Sequence, residues 1–174
     1  MLVPLVGTPE AARAAVAASR YPPEGIRGAA GTRANRYGAD LPRYFAEWNR
    51  QVLVACQVET RQALEQVEAI AAVPGVDVLF IGPNDLSAAL GCFRQFGHPA
   101  FLQAVERILR AARDHGIAAG YMTSGAEEAL ARIAQGFRFI ALGSDARLLA
   151  AAVTATYEEV RGGLAAATRP EAKP

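Results

Sequence analysis

Two carboxylates stand where a parallel α/β fold keeps its chemistry. Glu59 ends the apolar run 52–58, and Asp85 follows the apolar run 76–81 inside Gly82-Pro-Asn-Asp-Leu-Ser. If those runs are neighbouring parallel strands, spaced about 4.8 Å apart, carboxylates at their carboxyl ends converge on one point. A hard divalent cation such as Mg²⁺ takes one or two carboxylates and keeps positions open for water or substrate oxygens. Position alone leaves a second reading open, in which both acids cap the helices that follow them.

Other reactive side chains point to fewer chemistries. Of 18 lysines and arginines one is lysine, Lys173, close to the last residue. Schiff-base catalysis needs a desolvated lysine amine, so that chemistry is excluded, and pyridoxal-phosphate anchoring and the P-loop lysine go with it. Cys56 and Cys92 lack C-x-x-C spacing and read as buried free thiols. His98 precedes Pro99 at a helix start and His115 precedes Gly116 at a helix end, which suits structural roles at helix termini. No Ser-His-Asp arrangement stands out, and Met122 and Phe137 read from position as packing residues. Arg27, in the stretch Gly-Ile-Arg-Gly, either pins its loop or contacts an anion.

The elements that must position these groups follow from patterning. With 174 residues, 52% hydrophobic and 20% charged, the chain can bury one core. A net charge of +1 draws it neither to nucleic acid nor to an anionic membrane. No apolar run reaches the roughly 18 to 20 residues of a membrane span, and the first residues lack the basic head and length of a signal peptide. A cytoplasmic protein is the expectation. Thr8 and Pro9 open a helix through the alanine-rich stretch 11–20, and 21–31, including Gly28-Ala-Ala-Gly31, is a loop. A shorter helix covers 40–49. Strands are predicted at 52–58, 76–81, 117–122 and 137–142, with 2–6 as a further short apolar run. Between them lie a helix carrying Leu64, Val67, Ile70 and Ala71, and helices over 99–114, 126–135 and 146–161. Gly136 ends the helix over 126–135, and Glu106 with Arg110 adds an i,i+4 pair on the helix over 99–114.

Five strand–helix units in about 160 residues predict right-handed crossovers and a parallel sheet. Such a sheet either opens into a doubly wound fold or closes into an eight-unit barrel of about 250 residues, for which five units are too few. No G-x-G-x-x-G follows a strand, which argues against dinucleotide binding.

Five strings together, Leu2-Val-Pro-Leu-Val, Tyr21-Pro-Pro-Glu-Gly-Ile-Arg-Gly28, Gln57-Val-Glu-Thr60, Phe80-Ile-Gly-Pro-Asn-Asp-Leu-Ser87 and Ala141-Leu-Gly-Ser-Asp145, resemble the HpcH/HpaI aldolase family in order over residues 2–160. Its members include 4-hydroxy-2-oxoheptanedioate, 2-keto-3-deoxy-L-rhamnonate and 5-keto-4-deoxy-glucarate aldolases, lyases of aromatic and sugar-acid catabolism. The resemblance implies an α/β (β/α)₈ TIM barrel of the phosphoenolpyruvate/pyruvate type. Residues 2–6 match its fourth strand, so this chain holds about the last five β/α units, with 1–162 as a partial barrel and 163–174 as a disordered tail.

In that family a Glu and an Asp at successive strand ends bind Mg²⁺, Mn²⁺ or Co²⁺, and these match Glu59 and Asp85. The resemblance thereby implies a metal-stabilised pyruvate enolate, with pyruvate and an aldehyde formed reversibly from a 4-hydroxy-2-oxo acid. The pyruvate carboxylate falls on backbone amides in the stretch matching Gly82 to Asp85; Pro83 has no N–H, which leaves Asn84 and Asp85 as donors. Met122 matches an apolar position beside the pyruvate methyl. The family's acid/base histidine and substrate arginine belong to earlier strands, and neither His98 nor His115 matches that histidine. Loss of such a base costs roughly 10²- to 10⁴-fold in rate, so the catalytic base is expected in a segment preceding this chain. The resemblance further implies a homo-oligomer, a hexamer in the family, with a C-terminal helix packed on a neighbour. Two other readings stand beside it: an acyl-CoA lyase of the same superfamily, and a non-catalytic domain that binds metal or oxo acid and oligomerises.

Overall fold

A computed structural model describes residues 1–167, with the side chains of 1–164. Along the chain run β1 (Leu2–Val3), α1 (Pro9–Ser19), a 3-10 segment (Arg33–Gly38), α2 (Leu41–Gln51), β2 (Ala55–Val58), α3 (Arg61–Glu65), α4 (Val67–Ala71) and β3 (Val78–Ile81). Then come α5 (Pro83–Ala89), α6 (Pro99–Asp114), β4 (Ala118–Thr123), α7 (Ala126–Gln135), β5 (Phe139–Leu142) and α8 (Asp145–Ala167). The strands form one sheet in sequence order and every pairing is parallel. All five carboxyl ends therefore share one rim, and β1 and β5 are its edges among the described residues.

Successive strand residues point to opposite faces, so the register sorts the strands into two layers. Cys56, Val58, Leu79, Ile81, Ala119 and Tyr121 join Ile70, Phe101 and Ile108 of the helices in the main core. The other face carries a smaller cluster of Ala55, Val78 and Phe80, packed with Ala118, Phe139 and Ala141. Phe80 and Phe139 meet edge to face there, 5.8 Å apart, across Gly120, where a side chain would collide with the Phe80 ring and crowd that of Phe139. The rows of this inner face run Ala55, Gln57, Glu59 and Val78, Phe80, Gly82, so the alternation that buries apolar residues delivers the acid to the inside of the rim.

Local chemistry explains most boundaries. Thr8 caps α1 by accepting from the Ala11 N–H at 3.2 Å, as its type predicts. The predicted helix after β2 divides into α3 and α4 at Gln66, whose φ and ψ of −110° and 15° interrupt the turn. The segment Pro83–Ala89, over which the sequence patterning predicts no helix, is helix α5, with Pro83 at its first position. Among the described residues Glu106 and Arg110 form no ion pair; Arg107 instead reaches across to Glu68 at 2.9 Å, joining α6 to α4. Helix α8 continues to Ala167, past the expected boundary at 162, because Ala165–Ala167 has high helix propensity. Residues 168–174 of the expected tail lie outside the described residues. Leu149, Val153, Tyr157 and Val160 on α8 are each more than half exposed. No helix of the described residues is long and apolar enough to cross a membrane.

Candidate metal centre at the carboxyl rim

The two predicted acids occupy different positions on the rim. Glu59 lies one residue beyond β2 and is 3% exposed. Asp85 lies in the first turn of α5 and is exposed. Capping does not account for Glu59, because Thr60 is the cap of α3: its hydroxyl accepts from the Ala63 N–H at 3.0 Å. Gly82 is the N-cap of α5, which leaves Asp85 at its third position.

Three strand ends meet at the Glu59 carboxylate. From the β1 end, the Leu5 N–H donates to Oε1 at 2.9 Å. On β2 itself, Gln57 Nε2 donates to Oε2. From the β3 end, Gly82 approaches so closely that a β-carbon there would lie 2.5 Å from both Gln57 Nε2 and Glu59 Oε2. Only a residue without a side chain fits that position without shifting the carboxylate.

The electrostatics are those of an uncompensated anion. Burial raises the Glu59 pKa above its usual value and the negative charge of Asp85 raises it further, while the hydrogen bonds from Leu5 and Gln57 oppose the rise. Among the described residues neither acid forms an ion pair with a cationic side chain. Each Glu59 oxygen accepts one bond and retains capacity for more. Nor do three or more His, Cys, Asp and Glu side chains gather anywhere among the described residues. A hard cation fits this set, with two carboxylates as protein ligands and the remaining positions open to water or substrate oxygens.

The other candidates fall on this rim or well away from it. Asn84 and Asp85 are the second and third residues of α5, where backbone N–H groups have no intrahelical acceptor. Met122 lies on β4, 36% exposed, opposite Ala141 of β5. His98 caps α6 through Nδ1, which accepts from the Ala100 N–H at 3.2 Å, and His115 ends that helix with Nδ1 2.9 Å from the Ala111 carbonyl. The Arg27 guanidinium stands 4.0 Å from the Trp48 ring and 5.0 Å from that of Tyr21, and its Nη1 is buried with no hydrogen-bond partner among the described residues. Cys56 and Cys92 are buried and free, and burial pushes the Cys56 thiol up to about 11. A cavity of about 260 Å³ bounded by Ile117, Ala118, Gly136 and Arg138 opens at the amino ends of β4 and β5, the opposite end from Glu59.

Sequence reasoning missed two contributors. Gln57 shares the inner face with Glu59 at i,i+2, a signal that was available. Leu5 acts through its backbone N–H, which no side-chain pattern reveals.

Residues 1–152 match the family model of HpcH/HpaI aldolase/citrate lyase. The chain is 43% identical over 145 residues to 5-keto-4-deoxy-D-glucarate aldolase of Klebsiella pneumoniae subsp. pneumoniae, covering 83% of this chain and 56% of that protein. It thus spans a little over half the length of the curated relatives it matches. A HpcH/HpaI aldolase/citrate lyase family protein from Burkholderia cenocepacia J2315 superposes with a TM-score of 0.81 at 38% identity, covering 92% of this chain and 64% of that one. HpcH/HpaI aldolase from Desulfitobacterium hafniense DCB-2 gives a TM-score of 0.78 at 29% identity, covering 99% and 65%. The five-stranded sheet is accordingly part of a TIM-type barrel, curled with its smaller cluster inside.

Proposed function

The chain belongs to the HpcH/HpaI aldolase/citrate lyase family, and on that premise we propose that it supplies the metal-holding rim of a carbon–carbon lyase. The reaction is the reversible cleavage of a 4-hydroxy-2-oxo acid to pyruvate and an aldehyde. One observation carries this reading: Glu59 is a buried carboxylate without a cationic side-chain partner among the described residues, and Asp85 acts on it from the first turn of α5, just beyond β3.

Glu59 and Asp85 would hold Mg²⁺, Mn²⁺ or Co²⁺. When bound, such an ion supplies a Lewis acid that draws electron density from a keto group. Gln57 and Leu5 hold the carboxylate in place, and Gly82 keeps the approach to it clear. The backbone N–H groups of Asn84 and Asp85 receive the pyruvate carboxylate, and Met122 packs against the methyl group. The relatives named 5-keto-4-deoxy-D-glucarate aldolase favour a sugar acid as the source of the aldehyde. No proton transfer is assigned to His98 or His115, which are engaged at the ends of α6. A second copy of the chain would cover the apolar residues exposed on α8, giving a homo-oligomer, and a cytoplasmic location suits the substrates.

The test is binding rather than turnover. Mn²⁺ added to the folded chain should bind and enhance water-proton relaxation, and pyruvate should then displace water and lower that enhancement. Both signals should vanish in Glu59→Ala. With the base outside this chain, pyruvate methyl exchange in D₂O should stay close to the metal-only control. A folded chain that binds no Mn²⁺ overturns the reading.

A further inference from the structure

Leu5 combines three features that packing alone does not explain. Its φ is 55°, in the left-handed region that is unfavourable for a residue with a side chain. Its side chain gains little in exchange, since the residue is 67% exposed. Glycine would occupy such a position freely. Backbone strain of this kind persists where the surroundings over-determine it, and the chain on either side is fixed: Val3 pairs with Cys56, and Val6 is buried in the main core. What the conformation achieves is the charge-assisted bond from the Leu5 N–H to Glu59 Oε1, 2.9 Å long and 54 residues away along the chain.

We propose that Leu5 is a positioning residue for the metal centre: its left-handed backbone aims one N–H at Oε1 and so fixes the orientation in which Glu59 and Asp85 share an ion. The inference rests on the metal-centre reading above. With Gln57 on the other oxygen, the two donors clamp the carboxylate from β1 and β2 and restrict its rotation, while Gly82, lacking a side chain, leaves the third side clear. A ligand held in this way enters coordination without losing rotamer freedom at that moment, which is how groups outside the coordination sphere raise metal affinity. The role belongs to the backbone, so the identity of the side chain matters only through the φ it allows.

The experiment titrates Mn²⁺ alone into the full chain, with circular dichroism reporting the fold. Leu5→Pro removes the N–H and forbids positive φ; its Mn²⁺ affinity should fall about tenfold or more. Leu5→Gly keeps the N–H and takes the left-handed conformation without cost, so it should bind at least tenfold more tightly than Leu5→Pro. Because Leu5→Pro can also unfold, the parent carries a second readout that needs no substitution. In the ¹⁵N-labelled chain the Leu5 amide proton should shift during a Mg²⁺ titration, with the same midpoint as Mg²⁺ binding. A folded Leu5→Pro that matches the parent, or a Leu5 amide indifferent to Mg²⁺, overturns the inference and leaves the metal centre standing. A parent that binds no Mn²⁺ sinks both.

Discussion

Glu59 and Arg132 are both charged and both buried, yet the molecule treats them in opposite ways. Arg132, on α7, has its counter-groups within the fold. Its guanidinium donates to the Tyr121 hydroxyl at 3.0 Å and to Gln135 Oε1 at 3.1 Å, lies 4.1 Å from the Tyr121 ring and stands 3.7 Å from Glu128. Its Nε lacks a hydrogen-bond partner among the described residues. Burial pushes the Tyr121 hydroxyl up to about 12, so it remains a neutral donor and acceptor beside the cation. Glu59 receives two hydrogen bonds from neutral donors and has Asp85, another anion, as its charged neighbour. The contrast separates a charge that holds helix to sheet from one that finds no counter-cation among the described residues.

Exchanging each charge for a neutral group tests that contrast directly. Glu59→Gln keeps the shape and removes the charge, so Mn²⁺ affinity should drop about 100-fold or more. The melting temperature of the metal-free protein should hold or rise, since a desolvated carboxylate is gone. Arg132→Met should do the reverse. It leaves the Tyr121 hydroxyl and Glu128 without their cation and costs about 2–3 kcal/mol in urea unfolding, with Mn²⁺ affinity at the parent level. If Glu59→Gln destabilised the fold as much as Arg132→Met, the distinction between the two sites would collapse.

A smaller effect sharpens the steric side. Gly82→Ala puts a β-carbon against Gln57 Nε2 and Glu59 Oε2, so the clamp must shift. Mn²⁺ affinity should fall about tenfold and stability by about 1 kcal/mol, read by relaxation titration and urea unfolding. Parent-like binding would show that the carboxylate tolerates displacement.

The subtlest consequence is a pH slope. The Glu59 pKa is raised in the folded protein, so between its ordinary value and the raised one the folded state holds more protons than the unfolded. Its contribution to stability is therefore present below the ordinary carboxylate range and lost as pH rises through the raised value. Unfolding of metal-free parent and Glu59→Gln, followed across that window, should show a fall with rising pH in the parent relative to the variant. Saturating Mg²⁺ should reverse the difference, because the ion binds the deprotonated carboxylate. A metal-free difference that rises with pH would contradict burial as the dominant influence.

Much of this was legible in the residues. Apolar runs at 52–58 and 76–81 announced buried parallel strands, although the paired ladders are shorter, Ala55–Val58 and Val78–Ile81. Pairing counts only residues opposite a partner, and the patterning extends into the approach to each strand. Helix α5 was missed because Gly82-Pro-Asn-Asp reads as a turn, yet Pro83 suits a first helical position equally well. Setting aside a capping role for Glu59 needed Thr60 to be seen as the cap of α3, which its residue type permits but does not compel.

By itself, then, the chain determined the parallel α/β class and the placing of two acids just beyond two successive strands. Those conclusions depend on side-chain type and period, which are written residue by residue. Only the tertiary structure decided that Glu59 would be buried with no counter-cation among the described residues, that Gly82 would leave no room for a side chain beside it, and that Leu5 would donate to it from 54 residues away. The physical reason is that every residue except proline carries the same backbone N–H. Where that donor points is set by the path of the chain, and only the packed sheet brings the ends of β1, β2 and β3 to one carboxylate.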